Sequence, residues 1–260
     1  PGPVPFCDSI YIADCTVRSS ASAVKLGTSS YGGFRNVTIK RIKVFDTYRS
    51  AIALECFETG TLENVLVDGI KAVNTGNAIF IRLGKREMYY KNKPTATLRN
   101  VTIRNVKVKV PADRPDEGYP LKGPALPFFH NTFPSSITGI PDHHVENVTL
   151  ENIRIIYPGG SNKCYAFMPV SRLDSIPDNE FDYPEFSMFG ELPSWGFYVR
   201  HVDGIKMKNI KLKIRKSEYR PAMVFDNVKD IKVEALQISG DKKKDRVILH
   251  NVKNADIKED

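Results

Sequence analysis

The chain has no apolar run approaching eighteen residues, so hydropathy offers no membrane-spanning helix. Its opening, Pro1-Gly-Pro-Val-Pro5, does not have the charged and apolar segments of a secretory leader, and the compartment has to follow from function. Cysteine is scarce. Cys7, Cys15, Cys56 and Cys164 form no Cys-x-x-Cys pair and no metal-ligand spacing; they read as single thiols, with a Cys7–Cys15 bridge as the alternative. No phosphate loop, nucleophile elbow or zinc motif occurs, and His143-His144 has no partner ligands at metal spacing, so neither a metal nor a cofactor is expected. Long amphipathic helices are lacking too: no segment sustains a 3.6-residue apolar period with caps, which excludes alternating strands and helices.

Charge of one sign is in excess. A formal net charge of +8 favours an acidic partner, whether nucleic acid, anionic lipid or a polyanionic saccharide. No nucleic-acid-binding motif accompanies it. Many of the lysines, among them Lys40, Lys43, Lys208 and Lys211, alternate with Ile and Val, the pattern of an exposed strand face that solvates itself.

What the chain does have is a repeat. The six residues Ile103-Arg-Asn-Val-Lys-Val108 read apolar, any, Asn, apolar, any, apolar, and the same six positions recur from Ile12, Ile39, Val67, Leu150, Met207 and Val233, with Asp14, Arg41, Gly69 and Ala235 where those copies lack the Asn. Successive copies stand 27, 28, 36, 47, 57 and 26 residues apart, a period near 27 that swells in the middle. Within a copy two short strands flank a corner occupied by Asn105, Asn152, Asn209 or Gly69, residues that tolerate a left-handed backbone. A third strand follows each pair, for example Ala51–Glu55, Ala78–Leu83, Gly196–Arg200 and Ala222–Asp226. Three short strands per period with polar corners predict an all-β chain over 1–260. They predict a right-handed, single-stranded parallel β-helix of the pectin-lyase-like kind, with about seven coils.

Insertions at 84–97, 109–134 and 158–194 interrupt the period beside the third strands, which are therefore expected to form the floor of a cleft walled by the insertions. Strand alternation turns Lys25, Glu55, Phe80, Arg82, Tyr198, Arg200 and Asp226 away from the core and onto that floor. Charged groups beside aromatic faces suit sugar rings bearing carboxylates, with arginine making bidentate contacts. The insertions themselves carry Phe128-Phe-His-Asn131, Phe133 and the acidic, aromatic run Asp178–Phe186.

Ser22-Ala-Val-Lys-Leu-Gly-Thr28, followed by Gly33-Phe-Arg-Asn-Val-Thr-Ile39, resembles a coil and following strand in the C-terminal part of the polygalacturonase-like enzymes, glycoside hydrolase family 28. Gly190-Glu-Leu-Pro-Ser-Trp-Gly196 resembles loops in the pectin-degrading members from gut bacteria. The resemblance implies hydrolysis of acidic pectic polysaccharide, of the polygalacturonase or rhamnogalacturonase type, by a secreted or periplasmic protein. Polysaccharide lyase activity and non-catalytic carbohydrate binding are the alternatives. It assigns no catalytic residue here. The family aspartates would precede Pro1, Ser22 stands in place of the family histidine, and Ala53-Leu-Glu55 stands in place of Arg-x-Lys. That leaves Glu55 as a weak candidate acid and Lys25 and Glu55 at substrate-facing positions. Inverting hydrolysis needs two carboxyl groups about 6.5–9.5 Å apart. Layers about 4.8 Å apart can supply them. A stack lacking its N-terminal coils would also expose an apolar end, from which self-association at that end is expected.

Overall fold

A computed structural model describes residues 5–86, 95–241, 243 and 245–259. It is all-β, with one short 3-10 segment at Val170–Ser175. The strands, in chain order, are β1 (Cys7–Asp8), β2 (Tyr11–Ala13), β3 (Thr16–Arg18), β4 (Val24–Leu26), β5 (Gly33–Cys56), β6 (Thr61–Leu83) and β7 (Thr97–Lys109). They continue as β8 (Ser135–Thr138), β9 (Val145–Tyr157), β10 (Phe197–Ile214), β11 (Met223–Ser239), β12 (Val247–His250) and β13 (Lys253–Glu259).

Every pairing among these strands is parallel, and its register is the repeat spacing read along the chain. Ile12 lies opposite Ile39, Ile39 opposite Val67, Val67 opposite Ile103, Ile103 opposite Leu150, Leu150 opposite Met207, and Met207 opposite Val233. Each copy of the motif therefore sits directly on the one before it. Inward residues of successive layers merge into one apolar column that includes Ile39, Val67, Ile103, Leu150, Met207 and Val233. The first layer, β1 to β4, leaves Phe6, Tyr11 and Ile12 exposed.

Long strands such as β5 and β6 are bent by single residues with positive φ. The corner positions Asp14, Arg41, Gly69, Asn105, Asn152 and Asn209 all have φ between 53° and 83°. A second set of corners, five residues earlier, falls on Asn36, Asn64, Asn100 and Asn147, with φ of 53–56°. The sequence pattern places the first set; the second was visible only as the leading Asn of Asn-Val-Thr-Ile. Asp68-Gly69 and Asp203-Gly204, dipeptides that elsewhere close hairpins, here bend the strand without reversing it.

The corner asparagines are stacked ladders. Asn209 donates to Asn152 at 2.8 Å, Asn152 to Asn105 at 3.0 Å, and Asn105 to Asp68 at 2.7 Å. Asn147, Asn100, Asn64 and Asn36 form the parallel series, ending on Asp8. Asn serves twice at each position, because its backbone accepts the left-handed well and its amide is both donor and acceptor. Asn152→Ala should cost about 1–2 kcal/mol through the left-handed backbone alone, whereas Asn152→Gly should cost less. Urea midpoints of the two variants check this, and equal midpoints would argue against the corner strain.

All four cysteines are free thiols, and Cys7 and Cys15 are not bridged. Of the three insertions, 109–134 and 158–194 are described in full; residues 87–94 of the first lie outside the described residues.

Candidate functional site

The third strands stack as alternation requires. One outward column runs Lys25, Ala53, Phe80, Ser136, Tyr198, Val224 and Ile248; the next runs Glu55, Arg82, Thr138, Arg200, Asp226 and His250. Their environment differs from the expected open floor. Phe80 and Arg82 are each 1% exposed, Tyr198 is fully buried, and Asp226 and Glu55 are buried as well. The insertions lie across the sheet as a roof. Phe133, Leu173, Ile176, Phe186, Phe189 and Leu192 pack onto Ala53, Phe80, Tyr198 and Val224 as a second apolar core, separate from the column inside the layers.

The charged column ties that roof down. Arg82 donates to the carbonyls of Gly139 at 2.6 Å, of Asn179 at 3.2 Å and of Asp178, with its guanidinium over the Phe189 ring. Burial lowers its pKa to about 10, which leaves it charged at neutral pH. Arg200 donates to the Ile176 carbonyl at 2.8 Å and pairs with Asp178 and Asp226. Asp178 also accepts from His201 Nε2 at 3.0 Å, and Asn227 donates to His201 Nδ1 at 2.6 Å. Burial pushes the His201 pKa down, consistent with a neutral ring of fixed tautomer. Phe80, Arg82, Tyr198, Arg200 and Asp226 thus spend their side chains on the protein itself. The apolar run of each third strand and the aromatic content of the insertions satisfy each other, because exposed aromatics on a sheet gain most by being covered.

Lys25 and Glu55, at the N-terminal edge of the same sheet, have different surroundings. Lys25 Nζ lies 2.8 Å from Glu55 Oε2, which also accepts from Thr28 Oγ1 at 2.9 Å. Gly27, at φ +105°, lets the loop press onto the backbone of Glu55: a Cβ here would stand 2.2 Å from the Glu55 carbonyl oxygen. Residues of the third insertion complete the corner. Lys25 donates to Tyr183 Oη at 3.5 Å, and Arg49 pairs with Glu185 at 2.7 Å.

Burial raises the pKa of Glu55, opposed by Lys25 and Thr28 and reinforced by Glu185. Burial also raises Glu185, opposed by Arg49 and Lys25. For Tyr183, burial is outweighed by the Thr28 hydrogen bond and the Lys25 charge, which hold the phenol below its usual value. Among the described residues, Glu55 and Glu185 are the carboxyl groups pushed up; those of Asp8, Asp14, Asp68, Asp116, Asp203 and Glu234 are held down. Perturbed neighbouring groups of this kind occur at catalytic sites and in structural ion-pair networks alike.

Tyr183 and Glu185 face a cavity of about 380 Å³ walled by Tyr48, Leu126, Phe128 and Met188. A second cavity, of about 590 Å³, shares Tyr48, Ala125 and Leu126 with it and continues between the two large insertions. The recess therefore lies among the insertions, off the sheet floor. Glu185, Tyr183 and Thr28 were not singled out by alternation, which speaks only for strand residues; Arg49 lies in β5, just ahead of the third strand expected at Ala51–Glu55. The signal for the first two was the density of acids and aromatics in Asp178–Phe186. Among the described residues, no group of three or more His, Cys, Asp or Glu side chains has metal-site geometry, and no helix is long and apolar enough to cross a membrane. No family model, curated protein or solved structure matches this chain.

Proposed function

We propose that the stacked parallel layers wind as a right-handed, single-stranded β-helix of about seven coils, and that the protein hydrolyses acidic pectic polysaccharide, as its resemblance to the family 28 glycoside hydrolases suggests. The observation that carries this reading is the convergence of two burial-raised carboxyl groups, Glu55 and Glu185, on Lys25 beside a cavity. Glycosidic cleavage needs a carboxylic acid that is still protonated when the leaving oxygen requires it. Glu185, which lines the cavity, is assigned that donation. Glu55 holds Lys25, whose side chain, 22% exposed, is placed to meet a sugar carboxylate. A polymeric substrate of this kind does not cross membranes, so the protein would act in the periplasm or outside the cell.

Release of reducing ends from polygalacturonan and rhamnogalacturonan tests the proposal: new reducing ends from at least one polymer are expected, and none from either would sink it. A second reading is a non-catalytic saccharide-binding protein, favoured by the pairing of Glu55 with Lys25 and of Glu185 with Arg49, which leaves neither carboxyl group unengaged. In that case oligosaccharide binds and is recovered intact. Lyase chemistry requires an unpaired base, and Lys25 and Arg49 are each already paired with a carboxylate. Unsaturated products absorbing in the near ultraviolet would reveal it.

A further inference from the structure

The cavity of about 590 Å³ between the two large insertions lies within the size range of small-ligand sites. Its lining includes His130, Phe133, Tyr165 and Lys216. The His130 ring is set by its neighbours: it stacks on Phe133 at 4.5 Å and meets Phe128 edge-on at 6.0 Å. Its Nδ1 lies 2.9 Å from the Asn131 carbonyl oxygen. A carbonyl only accepts, so Nδ1 carries the hydrogen, and in the neutral ring Nε2 is left as an acceptor.

Tyr165, on the cavity lining, stacks with Phe129 at 6.3 Å with their planes 22° apart. They are 82% and 58% exposed, so the pair shields little apolar surface of the protein itself. Nor is it needed to join the insertions, because Asn131 already does so. Its amide donates to the Asn162 and Ala166 carbonyls and to Glu191, and its carbonyl accepts from the Asn162 backbone at 2.7 Å. Lys216 makes no ion pair among the described residues, whereas Arg114, on the same wall, is neutralised by Asp116. A fixed acceptor and an aromatic pair already in contact thus stand near an exposed ammonium that makes no ion pair among the described residues, and groups placed in advance lower the entropy lost on binding.

We infer that this cavity is a saccharide subsite that takes one uronic acid ring of an oligosaccharide. The sugar's C–H face lies on the Phe129–Tyr165 pair, a hydroxyl donates to His130 Nε2, and the carboxylate meets Lys216. The choice of an acidic sugar rests on the reading above; the site itself does not depend on cleavage.

Titration calorimetry of the full chain with trigalacturonic acid and with the neutral galactotriose tests this, alongside amide exchange over residues 128–132 and 159–166. Binding of trigalacturonic acid that slows exchange in both segments is expected. Phe129→Ala and Tyr165→Ala should each weaken it about five- to tenfold with unchanged melting temperatures, since both rings are exposed. Lys216→Met should weaken the acidic probe and leave the neutral one as it was. Unchanged affinity in the folded Phe129→Ala and Tyr165→Ala variants would overturn the subsite, as would the absence of binding of either probe to the unaltered protein. Binding that follows these variants without any release of reducing ends would retain the subsite and refute the hydrolase.

Discussion

Replacing Arg82 by alanine is expected to lower the stability of this protein by about 3–5 kcal/mol, seen as a fall of about 10 °C in the thermal midpoint followed by circular dichroism. The guanidinium is 1% exposed and serves three carbonyls, those of Gly139, Asp178 and Asn179. Truncation takes the guanidinium donor from the Gly139 and Asp178 carbonyls, each a loss of about 1–3 kcal/mol before relaxation, leaves the Asn179 carbonyl with the Asp182 N–H alone, and opens a void beside Phe57 and Phe189. Two of the three carbonyls belong to the third insertion, so the roof over Phe80 and Tyr198 loosens at the same time. Arg82→Lys should fall between, since an ammonium reaches fewer of the three and has no planar fork. An arginine on an open cleft floor would behave otherwise: an exposed surface change is worth within about 0.5 kcal/mol. A melting point that scarcely moves would therefore restore the open floor and remove the roof.

Glu185→Gln is expected to cut the release of reducing ends by about 10²- to 10⁴-fold while leaving oligosaccharide affinity within a few-fold, because the amide keeps the size and one acceptor but has no proton to give. The pH dependence follows from the sign of the shift. Burial raises the Glu185 pKa, and Arg49 and Lys25 hold it back. The protonated form is the donor, so activity is present below that pKa and declines as the pH rises through it. The alkaline limb should accordingly stand above the ordinary glutamate range. Arg49→Met removes an opposing positive charge, raises the pKa further and should move that limb to higher pH. A Glu185→Gln variant with full turnover, or an Arg49→Met variant whose limb moves to lower pH, would refute the assignment.

Much of the scaffold was legible because it depends on neighbours a few residues apart. Ile103, Val106 and Val108 alternate with Arg104 and Lys107 over a single corner residue, and that pattern is local. Its recurrence at spacings from 26 to 57 residues turned out to be the strand register itself, since a parallel stack pairs each copy with the next. The Asn corners were readable for the same reason: φ near 55° at Asn105 or Asn152 is a preference of the residue, and the ladder adds to it. The short third strands were likewise legible, and so was which of their side chains leave the core.

What those side chains meet was not legible. Alternation distinguishes two faces and says nothing about what covers the outer one. Phe80 and Tyr198 look the same on paper whether they face a sugar or Phe186 and Phe189. The deciding contacts join Arg82 to Asp178 and Lys25 to Tyr183, about one hundred residues or more apart, through loops with no period of their own. The insertions follow no repeat, so nothing local sets their path; burial of their aromatic residues on the sheet does. The sequence by itself determined the layers, their register and the polar corners, because each follows from short-range alternation and backbone preference. Only the tertiary structure decided that the third-strand face is roofed and that the recess lies among the insertions, because long-range burial selects which apolar surfaces meet.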